Sequence, residues 1–183
     1  ESILETHYKN GSILSGHVCH KYFPGIEFST GSLGHALPVC VGIALAIKLK
    51  KISSKVYCLM SDGELDEGSN WEAFLSAAHY SLNNLIAIID RNRLQSIEDT
   101  ETTLILEPLS EKLKAFNWNV LTIDGHNHDD LENALLQENS SKPTLVIANT
   151  IKGKGVSFME NQVVWHYRSP SKEDLMKAKG ELK

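Results

Sequence analysis

Basic residues are nowhere gathered in this chain. Its 18 Lys and Arg are spread among 23 Asp and Glu, for a formal net charge of −5. No block of positive charge is available to follow a nucleic-acid backbone or an anionic membrane surface. Cysteine is scarce: Cys19, Cys40 and Cys58 are odd in number and unclustered, which suits reduced thiols in a cytoplasmic protein rather than a disulfide framework. No apolar run reaches the length of a membrane span, and no signal peptide is visible. Neither an internal repeat nor a low-complexity linker divides the chain. Aromatics are only 7% of the residues, but hydrophobic residues are 42%, enough for an ordinary globule. At 183 residues, one domain with a full α/β core is expected over 1–183.

Two apolar runs organise what is present. Residues 55–61 close on Asp62 and Gly63; residues 84–90 close on Arg91 and Asn92. Both read as strands, and residues 69–80 between them read as a helix. Strand, helix, strand of this length is a right-handed crossover, which makes the two strands parallel. Further along, helices are expected over 33–50 (with Pro38 in the first turn), 109–116, 129–137 and 172–183, and strands over 119–123 and 144–149. Residues up to Ser32, the stretch ending at Glu107, and 153–162 read as irregular. The alternation predicts an α/β fold, a mostly parallel sheet with helices on both faces.

Parallel strands put Asp62 and Asn92 on the same sheet edge, where α/β folds bind ligands. Asp62 offers a carboxylate, Gly63 lets a backbone come close to a phosphate, and the following helix start adds amide donors. Magnesium takes about six oxygens. Asp62, the Asn92 amide oxygen, the Leu94 carbonyl, a water and two diphosphate oxygens would supply them, and a cation would let an acidic chain hold a diphosphate. Two other clusters carry less weight. His17, Cys19 and His20 alternate in a loop without a second cluster. His126, Asn127, His128, Asp129 and Asp130 precede a helix, where caps and solvated groups account for them.

The segment from Asp62 to Asn92 resembles the thiamine-diphosphate motif. More narrowly, residues 62–73 (DGELDEGSNWEA), 29–35 (STGSLGH), 92–95 (NRLQ) and 150–161 (TIKGKGVSFMEN) resemble transketolase. The resemblance covers nearly the whole chain and is nearest to the amino-terminal subunit of two-subunit transketolases. It implies the thiamine-diphosphate-binding fold, with magnesium (or Ca2+ or Mn2+ in its place) held by Asp62, Asn92 and the Leu94 carbonyl. It implies cofactor contacts from Gly31, Ser32, Leu33, Asp62, Gly63, Glu64, Asn92, Lys152 and His166. Glu67 matches a glutamate of the subunit contact and its proton network, and is placed with His17 and His166 in the catalytic set. His17 matches a histidine on the donor sugar's hydroxyls, and His166 one near the thiazolium.

The implied activity is transfer of a two-carbon ketol unit from a ketose to an aldehyde, on sugar or sugar-phosphate substrates. The glutamate that activates the cofactor belongs to a pyrimidine-binding domain not found here. The resemblance therefore implies a separate partner subunit, a heterotetramer, and an isolated chain without activity. The family's first active-site histidine falls upstream of Glu1, outside this sequence. Ser61 stands where the family commonly has glycine, Val18 where it has proline, and Tyr167 where it has glycine, so a specialised sugar is expected in place of ordinary pentose phosphates. The alternatives are a 2-oxo acid dehydrogenase component, a deoxyxylulose phosphate synthase, or a non-catalytic assembly subunit.

Overall fold

Side-chain alternation sets which way each strand faces. In β1 (Val56–Ser61), Cys58 and Met60 are buried while Tyr57 and Leu59 are exposed. In β2 (Leu85–Arg91), Leu85, Ala87 and Ile89 join the main core, and Ile86 and Ile88 face a second cluster on the opposite side. β3 (Asn119–Asp124) is half-buried, as an edge strand is, whereas β4 (Thr144–Asn149) is buried from Thr144 through Ala148. The computed structural model describes residues 3–137 and 141–182.

The strands form one sheet in the order β1-β2-β4-β3, every pair parallel. Main-chain register sets Ser61 against Asp90 and Asp90 against Ala148, so the loops that follow these three strands leave from one edge. Helices cover both faces. α1 (Ala36–Leu49), α2 (Gly68–His79) and α4 (Leu109–Ala115) pack their Leu37, Ala44, Phe74, Ala77 and Leu113 on the main core. α5 (His128–Leu136) places Ala134 and Leu135 on the other face with Ile86 and Val146. This division follows from handedness: right-handed crossovers from β1 to β2 and from β3 to β4 run in opposite directions along the sheet, so their helices fall on opposite faces.

Phe74 anchors the main core. It is fully buried, meets Trp118 edge-to-face at 5.2 Å, and its carbonyl accepts the Trp118 indole N–H at 2.9 Å. α6 (Lys172–Glu181), started by a capping box between Ser171 and Asp174, lies against the 153–158 loop through Glu181 and Ser157. No helix among the described residues is long and apolar enough to cross a membrane.

The expected elements are present, the strand at 144–149 with both ends as expected and the others with one or both ends moved by up to three residues. α1 starts at Ala36 rather than residue 33, because Gly34 sits at φ +75° and turns the chain before it. Residues 100–103, expected to be irregular, form the short helix α3 (Thr100–Thr103), capped by Asp99. The stretch before Ser32 holds a 3-10 turn at Leu4–Thr6 among other turns. The end of the last expected helix, Lys183, lies outside the described residues.

Candidate active site

Asp62 continues the buried alternation of β1 beyond Cys58 and Met60, and Arg91 continues that of β2 beyond Ala87 and Ile89. Both side chains are thus directed onto the main-core face at the sheet edge, and they meet. Arg91 Nη1 donates to Asp62 Oδ2 at 3.1 Å, with both side chains 1% exposed. The same oxygen accepts the Arg93 N–H at 2.6 Å, while Oδ1 accepts the Gly63 N–H at 2.9 Å and no other donor among the described residues. Among those residues Oδ1 therefore keeps a lone pair without a protein donor. Burial pushes the Asp62 carboxyl above the usual carboxylate range, against the Arg93 amide and the Arg91 guanidinium. An ion beside it would relieve that cost.

The Arg93 bond to Asp62 brings the strand ends together, since Arg93 directly follows Asn92. The Asn92 amide oxygen accepts the Leu94 N–H at 3.0 Å, and its NH2 donates to Asp90 at 3.2 Å. Leu94 opposes Asp99 in an antiparallel bridge whose bonds are made by the flanking residues, Thr100 N–H to the Arg93 carbonyl and Gln95 N–H to the Glu98 carbonyl. In such a pair the residue's own carbonyl faces away from its partner strand. Leu94 thus presents its oxygen outward, beside Asn92.

Gly63 is where Gln95 approaches. A Cβ on Gly63 would stand 2.9 Å from both Cβ and Oε1 of Gln95, and Gln95 Nε2 is buried without an acceptor among the described residues. A carboxylate oxygen, an amide oxygen and an outward carbonyl suit a hard divalent ion. Among the described residues no three His, Cys, Asp or Glu side chains gather into an all-protein cage. The donor set is thus of the kind completed by waters and ligand oxygens, and the orphaned Gln95 donor beside Gly63 suits an anionic oxygen there. These residues fit a magnesium-bound diphosphate.

A second group lies along residues 31–34. The His17 ring occupies the space a side chain on Gly31 would need, with its Cγ 2.5 Å from that Cβ position. Gly34, at φ +75°, would set a Cβ 2.6 Å from both Glu67 Cβ and Ser69 Oγ, and Ser69 donates to the Gly34 carbonyl at 2.6 Å. His17, Gly31 and Glu67 are therefore held to one loop, which exposes Ser32 and Leu33. Glu64 is buried. Its Oε2 accepts the Ser61 N–H at 3.1 Å and its Oε1 the Gly34 N–H at 3.4 Å, so it ties this loop to the end of β1.

Lys152 follows β4 on a loop closed by the Asn161 N–H onto its carbonyl, and it makes no ion pair among the described residues. His166, exposed, ends an otherwise half-buried 3-10 turn, Val163–His166, fixed to the same loop by Trp165 Nε1 donating to the Phe158 carbonyl at 3.0 Å. No hydrogen bond among the described residues joins Lys152 or His166 side chains to Asp62 or Asn92. At the foot of the loop, Thr150 bonds Asp90, and Ile151 N–H donates to His126 Nε2 at 2.7 Å. Asn127 caps α5 by accepting from Asp129 and Asp130, the role expected of that polar cluster. The reading from sequence missed Arg91 together with its other partners Thr100, Glu101 and Glu107. It also missed His126 and Gln95 as structural contacts.

Fold and geometry together define an α/β domain in which the segments carrying Asp62, Asn92 and Leu94 come together at the carboxyl edge of a parallel sheet. The family model for the transketolase thiamine diphosphate binding domain matches residues 2–182, and the chain belongs to that family. It is 44% identical over 185 residues to one of the subunits of apulose-4-phosphate transketolase from Actinobacillus succinogenes, covering 100% of this chain and 67% of that protein. It is 38% identical over 182 residues to a 6-deoxy-6-sulfo-D-fructose transketolase subunit of a Clostridium species, covering 98% of this chain and 66% of the relative. Transketolase from Campylobacter jejuni superposes with a TM-score of 0.92 at 32% identity, covering 99% of this chain and 30% of that chain. The chain thus spans about two thirds of the length of these curated relatives.

Proposed function

We propose that this chain is the diphosphate-binding part of a cytoplasmic transketolase-like enzyme that moves a two-carbon ketol unit from a ketose to an aldehyde. One observation carries the reading: the Asp62 carboxylate accepts the amide that follows Asn92, which sets Asp62, Asn92 and the outward Leu94 carbonyl around one place. These three would hold Mg2+, or Ca2+ or Mn2+ in its place. When bound, thiamine diphosphate supplies the electron sink needed to break the bond beside a ketose carbonyl. Gly63 and Glu64 shape the end of β1 against its diphosphate, and Lys152, without an ion pair among the described residues, adds positive charge to that side. Gly31, Ser32 and Leu33 line it by backbone. His17 and His166 bind sugar hydroxyls and move protons, tasks that suit an imidazole near neutral pH. Glu67 sits at the subunit contact.

The aminopyrimidine end needs an acid and a pocket from a pyrimidine-binding partner subunit, and a heterotetramer gives each site both halves. The two subunit-named relatives support the division into two chains, and their transketolase names favour ketol transfer over a 2-oxo acid dehydrogenase or a deoxyxylulose phosphate synthase. The sugars in those names carry a phosphate or a sulfonate, so the proposed donor class is an anionic ketose. Asp62→Ala tests the metal assignment. Calorimetry on the assembled complex is expected to show Mg2+-dependent cofactor uptake in the wild type and a loss of more than about 100-fold in the variant, beyond what second-layer changes cause. Unchanged affinity would refute it.

A further inference from the structure

Arg91 is a buried cation with no part in the chemistry just described. Its guanidinium donates to Asp62 Oδ2 at 3.1 Å, Thr100 Oγ1 at 2.7 Å, Glu101 Oε1 at 2.7 Å and Glu107 Oε1 at 2.9 Å. These partners come from two places, the end of β1 and the stretch 100–107. That stretch is itself bound to the metal-donor segment, since Thr100 N–H donates to the Arg93 carbonyl at 2.9 Å. The two glutamates are linked as well, because the Glu107 N–H donates to Glu101 Oε2 at 3.1 Å. The Arg91 guanidinium therefore faces three carboxylates, with Arg93 Nη2 also 4.0 Å from Glu107. Two guanidinium groups against three carboxylates leave one negative charge in excess, which a divalent ion at Asp62 would offset.

We propose that Arg91 is a positioning residue: it fixes the Asp62 carboxylate and couples loading of the metal and diphosphate to ordering of residues 93–107. The proposal rests on the thiamine-diphosphate reading above. The planar fork of arginine can hold several acceptors in fixed directions at once. Nη1 holds Asp62 and Thr100, and Nη2 holds both glutamates. With Oδ2 taken by Arg91 and Arg93, Asp62 can turn only by breaking this fork, so Oδ1 stays the oxygen open to an ion. Because coupling between two binding or ordering events is reciprocal, whatever loosens 93–107 weakens the ion, and the bound ion tightens 93–107.

The experiment uses the protein assembled with a pyrimidine-binding partner subunit. Calorimetry measures Mg2+ dependence with thiamine diphosphate present, and hydrogen exchange follows the amides of 93–107. In the wild type, Mg2+ and cofactor slow exchange across this segment. The Glu101→Gln/Glu107→Gln variant leaves Arg91 on Asp62 and weakens the tether. It is expected to need about ten-fold more Mg2+ for half-saturation and to lose the slowing of exchange. Its turnover at saturating Mg2+ and cofactor stays within about two-fold of wild type, a loss of affinity rather than of chemistry. Arg91→Lys, which keeps charge and loses the fork, falls between wild type and Arg91→Met. Arg91→Met strands buried carboxylates and risks unfolding, so the double glutamine variant decides. Equal Mg2+ dependence, or equal slowing of exchange, in that variant and the wild type overturns the proposal. So does a saturated turnover that falls as far as the affinity, which marks a merely structural role. Absence of Mg2+-dependent cofactor uptake in the wild type instead overturns the reading beneath it.

Discussion

Glu107 shows at the scale of one residue how a loop acid gains a sign. The Leu109 N–H and the Arg91 guanidinium hold its carboxyl below the usual glutamate range, burial opposing them only in part. A depressed folded pKa stabilises above the unfolded value and stops doing so as pH falls through the folded one. The melting-temperature gap between wild type and Glu107→Gln should therefore be widest near neutrality and shrink as pH falls through and below the ordinary glutamate range. Melting curves across that range check it, and a gap that grows in acid contradicts it. The meeting of Asp62 and Asn92 at one sheet edge was legible in the sequence because each ends an apolar run and both strands are parallel. Arg91 was not, because the strand was read as stopping at Asp90. One more step of the alternation Leu85, Ala87, Ile89 puts Arg91 in the core, where a lone cation must find acids. His126 gives no such sign: its role depends on a loop 25 residues away in sequence.

At the scale of elements, packing decides more than propensity. α2 contributes Ala73, Phe74 and Ala77 to the core beneath β1 and β2. Phe74→Ala removes a fully buried ring that also braces Trp118, and should cost about 3–5 kcal/mol. Urea unfolding monitored by tryptophan fluorescence measures it; a loss under about 1 kcal/mol would show the ring to be dispensable. The strands and long helices were readable from periodicity because burial imposes it. Ends were read less well. The start of α1 depends on the left-handed turn at Gly34, which Glu67 and Ser69 crowd from another part of the chain. α3 has four residues and an Asp99 cap, too short for a periodic signal. Its place is set by Arg91 and Arg93, which hold Thr100.

For the molecule as a whole, the proposed half-site predicts dependence on a second chain. Purified alone, this chain should show no ketose cleavage, and activity should rise on titrating the pyrimidine-binding subunit to a stoichiometric end point. Cleavage by the chain alone, free of contaminating enzyme, defeats the two-chain reading. The domain class was legible because four separated motifs fall in order along it. The order of the strands has a consequence for biosynthesis. β4 comes last in sequence yet sits between β2 and β3. A growing polypeptide can pair β1 with β2 early, but β3 has no neighbour to join until residues 144–149 emerge. The two halves of the sheet then close through one late insertion. Until then their inner edges are bare, and bare strand edges invite mispairing during synthesis.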